Sequence, residues 1–214
     1  IIRIAKNNNS SNNVDVKDEK PDMDLISRIV KSIQDEESFD YSDYGVEHIA
    51  TMRKNLGIKK IDSTLSFIEE SVDPNKKLVV FSYHKEVTQK LIEELSKKGK
   101  TVAIYGGMSP KEKQEAVDAF QTGDAKYLVG QIHSAGVGIT LTATDTCVFA
   151  ENDWSASAVY QAICRLNRIG ATSTTIAYFI TAKGGIDDSI TRAIDTKIKT
   201  VSVLFDDKSW KSSS

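Results

Sequence analysis

The chain has 214 residues, of which 40% are apolar, and this is enough to bury one sizeable α/β core. Its 28 basic and 30 acidic side chains nearly cancel, so any binding of nucleic acid has to come from a local patch. Two cysteines exclude a disulfide framework, and neither a membrane-length apolar run nor a signal peptide occurs. We therefore predict an intracellular protein of a reducing compartment (nucleus, nucleoid or virus-infected cytoplasm) with no membrane partner.

The first third of the chain is predicted to form a tail and a helical lead-in. Residues 1–21 are predicted to be a flexible linker or tail, because the Asn-rich stretch 7–13 and the charged residues after it have too little apolar content to offset the entropy of ordering. Residues 22–75 carry helical apolar spacing from Asp22, over about 46–56 and over about 59–72, with a separation near Gly57. The chain begins at Ile1 rather than Met, which is the pattern expected of a piece of a longer protein.

Strands and helices alternate after the turn signal Asp73-Pro74-Asn75, so residues 76–214 are predicted to form one α/β domain. The strands are expected at 78–81, 101–104, 127–131, 146–150 and 175–180, and the helices at 84–98, 110–120, 157–168 and 187–204. This order predicts a mainly parallel sheet sandwiched by helices, with ligand sites beyond the carboxyl ends of the strands.

Gln161, Arg165 and Arg168 are the candidate catalytic side chains. On a helix over 157–168 their spacings of four and three place them on one face. Two guanidinium groups that converge there would repel each other unless an anion such as a phosphate chain lies between them. On spacing alone, a solvated helix face with two arginines remains open as the alternative.

Residues 161–170, QAICRLNRIG, resemble motif VI of superfamily 2 helicase-like ATPases of the Swi/Snf type. The resemblance implies that Arg168 is an arginine finger and that Arg165 contacts phosphate or the facing lobe. Such a finger contributes a factor of about 10³ to 10⁵ in rate. The chain departs from the family at Cys164, where an acidic residue is usual, and at Ala171, where Gln is usual.

Residues 134–142, SAGVGITLT, resemble motif V of the same family and stand shortly before the arginine pair. The resemblance implies that Gly136 and Gly138 approach the nucleotide and that Thr140, which replaces the common Asn, contacts DNA. Glycine permits such close backbone approach, although any tight turn after a strand also favours glycine. The annealing-helicase branch of the family tolerates Thr at the position of Thr140.

Three further segments resemble family motifs in the same order: 78–84 motif IV, 105–113 the motif that follows it, and 150–154 the aromatic loop. The resemblance implies DNA contacts by His84, Gly107, Ser109 and Lys113. A helix start offers free N–H groups to a phosphate, but an ordinary capped helix is the open alternative at Ser109. Trp154 is interpreted as core packing rather than as a base-stacking platform.

The resemblance covers about residues 47–204 and implies the second RecA-like lobe of a DNA-dependent ATPase. The phosphate-binding Gly-x-x-x-x-Gly-Lys-Thr/Ser loop does not occur in the chain. ATP and Mg²⁺ are therefore expected to bind mainly to an N-terminal RecA-like lobe of the same protein, and this chain alone is predicted not to hydrolyse ATP. The expected nucleic-acid partner is double-stranded or forked DNA.

Two other functional classes remain as alternatives. The chain could act as a stand-alone nucleic-acid-binding or regulatory module that uses only the DNA face of a helicase lobe. A doubly wound small-molecule transferase is disfavoured, because no dinucleotide fingerprint follows the first strand of the predicted sheet. The sequence does not distinguish unwinding, annealing and translocation.

Overall fold

The computed structural model describes residues 2–6, 46–135, 138–166, 174–182, 187, 190–191 and 210–212. Seven strands form one sheet in the order β3-β4-β2-β5-β6-β1-β7, and every neighbouring pair in it is parallel. The strands are β1 (Ile2–Lys6), β2 (Leu78–Ser82), β3 (Thr101–Ile104), β4 (Tyr127–Gln131), β5 (Thr146–Phe149), β6 (Thr175–Phe179) and β7 (Trp210–Ser212). All five predicted strands are confirmed, as β2 to β6.

Six helices lie among the described residues. They are α1 (Val46–Lys59), α2 (Ile61–Ser71), α3 (Lys85–Ser96), α4 (Pro110–Gln121), α5 (Ile132–Ala135) and α6 (Ala156–Ile163). Asp187, Ile190 and Thr191 are also helical, as the predicted closing helix requires. The helix predicted from Asp22 falls outside the described residues.

The sheet is buried on both faces, because its central strands consist of consecutive apolar residues. Val79 and Phe81 of β2 lie in one core cluster together with apolar residues of α4 and α6. Leu78 and Val80, which alternate with them, lie in a second cluster with apolar residues of α2 and α3. The result is the predicted three-layer α/β architecture.

The structure differs from the prediction in the first helices. Gly57 was expected to separate two helices, but it lies inside α1, and the break comes at Lys60. A Cβ on Gly57 would collide with the Glu151 carboxylate and would lie 2.9 Å from Val87 Cγ2. Glycine at this position therefore permits close packing of α1 rather than ending it.

Residues 2–6 form β1, where a linker or tail was expected over residues 1–21. Ile2 and Ile4 provide a short apolar alternation, and the partner strand β6 lies far along the sequence, so local composition gave no sign of the pairing. The division at residues 21 and 75 stays a prediction. In the part of the chain that the structure describes, no helix has the length and apolar character needed to cross a membrane.

Candidate nucleotide and nucleic-acid site

The candidate site lies at the carboxyl edge of the sheet, where loops follow β2, β3, β4 and β5. We name these four segments the β2 loop (residues 83–84), the β3 loop (105–109), the β4 loop (138–145) and the β5 loop (150–155). Because β2 to β5 are parallel, the β2, β3 and β5 loops lie at one edge of the sheet. The β4 loop leads from that edge to the opposite one, where Thr144 donates to the Lys77 carbonyl before β5 begins.

Glu151 of the β5 loop holds the β2 loop in place. Its Oε2 accepts hydrogen bonds of 2.9 Å from the backbone amides of Tyr83 and His84, and its Oε1 lies 2.6 Å from His84 Nδ1. Glu151 is buried, and His84 is the N-cap residue of α3, so the carboxylate also faces the positive end of that helix. The His84 ring, a predicted DNA contact, is directed to Glu151 and is largely buried.

Gln131, at the end of β4, connects the β3 loop with the β2 loop. Its Oε1 accepts a 2.8 Å hydrogen bond from the Gly106 amide, and its Nε2 donates to the Tyr83 carbonyl at 3.4 Å. Gly107, which follows Gly106 in the β3 loop, is exposed and has a φ of +93°, a backbone conformation that glycine adopts without strain. This predicted DNA-contacting residue therefore presents bare backbone to solvent.

The start of α4 carries a complete capping box. The Ser109 side chain accepts from the Glu112 amide, and the Glu112 carboxylate accepts from the Ser109 amide at 2.7 Å. This hydrogen bond from the Ser109 backbone holds the pKa of Glu112 below its usual value. Glu112 thus occupies the helix start with a negative charge, while Lys113 beside it is half-buried.

Gly138, Thr140 and Leu141 belong to the β4 loop. Gly138 has φ of +76°, and Thr140 is half-buried. The Leu141 amide donates a 2.8 Å hydrogen bond to the Arg165 carbonyl. This bond brings the candidate residues Thr140 and Arg165 to neighbouring positions, while Gly136 lies outside the described residues.

The helix expected over 157–168 ends earlier than predicted. Its N-cap is Ser155 and its last residue is Ile163, so Gln161 is exposed on the helix whereas Arg165 lies in the turn that follows. In this turn the amides of Arg165 and Leu166 donate to carbonyls three residues back, so the last turn is tighter than an α-helix. The predicted helix end at residue 168 is therefore wrong, whereas the shared face of Gln161 and Arg165 stays a prediction and Arg168 lies outside the described residues.

Arg53 of α1 is a site residue that the sequence reasoning missed. Its guanidinium carbon lies 4.7 Å from the centre of the Tyr83 ring and 4.5 Å from that of Trp154, and its Nη2 donates to the Asn152 carbonyl. Trp154 is half-buried and packs against the core, as interpreted from the sequence. The spacing of Arg53 and Gly57, one helical turn apart on α1, with Lys60 directly after the helix, is the signal that could have identified this contact.

His133 and Asp153 form a second contact at this edge that the sequence reasoning missed. His133 Nε2 lies 2.7 Å from Asp153 Oδ2; the His133 side chain is 63% exposed and that of Asp153 is 4% exposed. Asp153 Oδ1 accepts from the Ser155 amide at 3.0 Å. An exposed imidazole is thus held against a buried carboxylate next to the start of α6.

A family model described as the helicase conserved C-terminal domain matches residues 59–170. The chain belongs to this family. The match includes all four loops of the candidate site and the residues predicted to be catalytic. It also includes α2 and the last residue of α1, so most of the helical lead-in precedes the matched segment.

Curated relatives place the domain among Swi/Snf-type helicase-like proteins. The chain is 35% identical over 145 residues to the SWI/SNF-related matrix-associated actin-dependent regulator of chromatin subfamily A-like protein 1 of Xenopus tropicalis, covering 66% of this chain. It is 30% identical over 142 residues, 65% of its length, to the human DNA annealing helicase and endonuclease ZRANB3. It spans only 15% and 13% of these two relatives.

A solved structure confirms the fold. The structure of the C-terminal part of the Fun30 ATPase domain matches with a TM-score of 0.58 at 22% identity, covering 64% of this chain and 45% of that one. The helicase C-terminal domain therefore has the expected RecA-like architecture.

Proposed function

We propose that the domain is the second lobe of a DNA-dependent ATPase that translocates on DNA, in which it supplies arginine side chains for ATP hydrolysis and part of the DNA-backbone track. The observation that carries the proposal is the hydrogen bond from the Leu141 amide to the Arg165 carbonyl. It joins the β4 loop to the turn that leads from α6 toward Arg168. Through this bond, a shift of the β4 loop on nucleic acid would also shift the backbone of the turn at Arg165, which is proposed to contact the nucleotide.

In this proposal Arg168 stabilises the charge that develops on the transferred phosphoryl group, and Arg165 and Gln161 contact phosphate or the facing lobe. Gly138, together with Gly136, gives the nucleotide close access to the backbone. ATP and Mg²⁺ bind mainly to an N-terminal RecA-like lobe of the same protein. The Mycoplasma pneumoniae relative named an uncharacterized ATP-dependent helicase, 27% identical over 182 residues, supports the use of ATP.

The DNA track in this proposal consists of Gly107, Ser109, Lys113, Thr140 and the His84 segment. Gly107 offers exposed backbone, whereas Ser109 and its helix start are already capped by Glu112. Phosphate contacts on the track would be sequence-independent and would weaken as salt rises. We propose double-stranded or forked DNA as the substrate.

A second candidate function is a nucleic-acid-binding or regulatory module without a catalytic role. The observation that favours it is the position of Arg165, which lies in the turn after α6 rather than within the helix. ATP hydrolysis stimulated by DNA separates the two functions. We expect none from this chain alone and robust hydrolysis when it is part of a protein with a first lobe; hydrolysis by the chain alone would contradict the proposal.

A further inference from the structure

Arg53 is a charged side chain buried between two loops of the candidate site. It is 5% exposed, and its guanidinium lies between the rings of Tyr83 and Trp154 while it donates to the Asn152 carbonyl. No carboxylate among the described residues forms an ion pair with it. Two ring faces and one carbonyl therefore balance the cost of burying the charge, and they fix its position.

The rings on either side of Arg53 belong to different parts of the proposed mechanism. Tyr83 precedes His84 in the β2 loop, which belongs to the proposed DNA track. Trp154 stands at the end of the β5 loop, directly before the N-cap of α6, the helix that carries Gln161. A guanidinium between both rings makes the position of one loop depend on the position of the other.

Glu151 joins the same two loops independently, because it accepts the amides of Tyr83 and His84 from within the β5 loop. Gly57, one helical turn after Arg53, lets α1 approach this carboxylate closely. Lys60, three residues further, forms a buried ion pair with Asp187 and donates to the Ile180 carbonyl at 2.9 Å. Arg53 and Gly57 of α1, together with Lys60 directly after it, therefore dock this part of the chain on the carboxyl edge of the sheet at three successive points.

We propose that Arg53 is a positioning residue that couples the β2 loop to the β5 loop, so that nucleic acid bound at the first sets the placement of α6. Arg53 is too buried to contact a phosphate itself, and it acts through Tyr83 and Trp154. The part of the inference that concerns nucleic acid rests on the proposed function. The part that concerns the coupling of the loops rests on the structure alone.

Amide hydrogen exchange of this chain tests the coupling without nucleic acid. Arg53→Met keeps an apolar side chain of similar length but removes the charge and the hydrogen bond. We expect exchange to accelerate about tenfold or more both at the Tyr83 and His84 amides and in the β5 loop. Lys54→Met is the matched control, since Lys54 is half-buried and pairs with the exposed Glu86 at 3.3 Å. This variant should accelerate exchange in neither loop. Acceleration in one loop only, or in none, would overturn the coupling.

Binding of duplex DNA by the same variants tests the functional part. We expect Arg53→Met to weaken binding about tenfold while the slope of log affinity against log salt stays unchanged, because no phosphate contact is removed. A slope smaller by about one would mean that Arg53 itself contacts a phosphate, and unchanged affinity would mean that it is only structural; either result overturns the inference.

Two further results are separated from a failure of the coupling: the absence of DNA binding and the misfolding of the variant. If the unsubstituted chain does not bind DNA, the proposed function fails, and hydrogen exchange alone decides the coupling of the loops. If Arg53→Met does not fold, Trp154→Phe replaces it, because a smaller ring weakens the contact with the cation and keeps an apolar side chain there. Trp154→Phe should accelerate exchange in both loops, and acceleration confined to the β5 loop would contradict the inference.

Discussion

The backbone amide of Leu141 donates a hydrogen bond of 2.8 Å to the carbonyl of Arg165. The bond closes the β4 loop onto the turn after α6 and thereby connects two segments predicted to contact DNA and nucleotide. The Leu141 side chain is completely buried in the core cluster that includes α6. Packing of this side chain therefore holds the hydrogen bond in place.

Leu141→Ala should lower the free energy of unfolding by about 2 to 5 kcal/mol, because it removes buried methyl groups and leaves a cavity. Exchange of the residue 141 amide should accelerate together with that of the turn at 164–166. Leu141→Met, which keeps the volume, should cost less than about 1.5 kcal/mol. Chemical denaturation of the three proteins measures both values, and equal stability of the Ala and Met variants would contradict the packing argument.

Gly57→Ala should destabilise the domain although alanine favours helices. The new Cβ would overlap the Glu151 carboxylate, which cannot move freely because it holds the Tyr83 and His84 amides. Overpacking of this kind costs about 1 to 3 kcal/mol. Asn55→Ala, at an exposed position of the same helix, is the control and should not destabilise. A Gly57→Ala variant as stable as the control would show that α1 can shift away from Glu151.

Lys60→Met should cost about 3 to 5 kcal/mol, because it leaves the Asp187 carboxylate buried without its partner. The neighbouring exposed Lys59 provides the control, and Lys59→Met should change stability by less than about 0.5 kcal/mol. Adding Asp187→Asn to Lys60→Met should recover part of the loss, since the unpaired charge is then gone. A double-mutant cycle by thermal denaturation measures this coupling, and strictly additive losses would contradict a direct pair.

Glu112→Gln should remove a pH-dependent contribution to stability. The folded-state pKa of Glu112 lies below its unfolded value of about 4.3, because the Ser109 amide donates to the carboxylate. The contribution is therefore fully present above the unfolded value and is lost as pH falls through the folded pKa. The Tm difference between Glu112→Gln and the unsubstituted chain should be largest near pH 7 and should shrink toward pH 3. The control Glu115→Gln, at an exposed position of α4, should not show this trend.

Glu112→Gln also tests whether the start of α4 contacts DNA. The carboxylate occupies the position that a phosphate would take, so its neutralisation should raise the affinity for duplex DNA about two- to fivefold at low salt. Glu115→Gln provides the comparison for a general change of charge on the same helix. Equal effects of the two variants would place the DNA track elsewhere.

The local signals in the sequence were sufficient for most of the fold. The limits of β3 and β4 agree with the prediction residue for residue, because short apolar runs are bracketed by Gly99 and by the segment 121–126. Ser109 and Pro110 gave the start of α4 correctly, since a cap and a proline at the first helical position are local features.

The contacts of the candidate site could not be read in the same way. Arg53 donates to the carbonyl of Asn152, 99 residues away, and nothing near Arg53 in the sequence indicates that partner. The end of α6 at Ile163 was also missed, because the Arg165 carbonyl accepts the Leu141 amide from another loop and the residues after Ile163 form a tight turn. Tertiary hydrogen bonds overrode the helical periodicity at this point.

The most direct test of the proposed function is DNA-stimulated ATP hydrolysis by a two-lobe protein that carries this domain, with and without Arg168→Ala, measured alongside DNA affinity. If Arg168 is the arginine finger, the rate should fall by a factor of about 10³ or more while DNA affinity stays within about twofold. A hydrolysis rate unchanged by Arg168→Ala would contradict the catalytic role and would leave the nucleic-acid-binding module as the function of this domain.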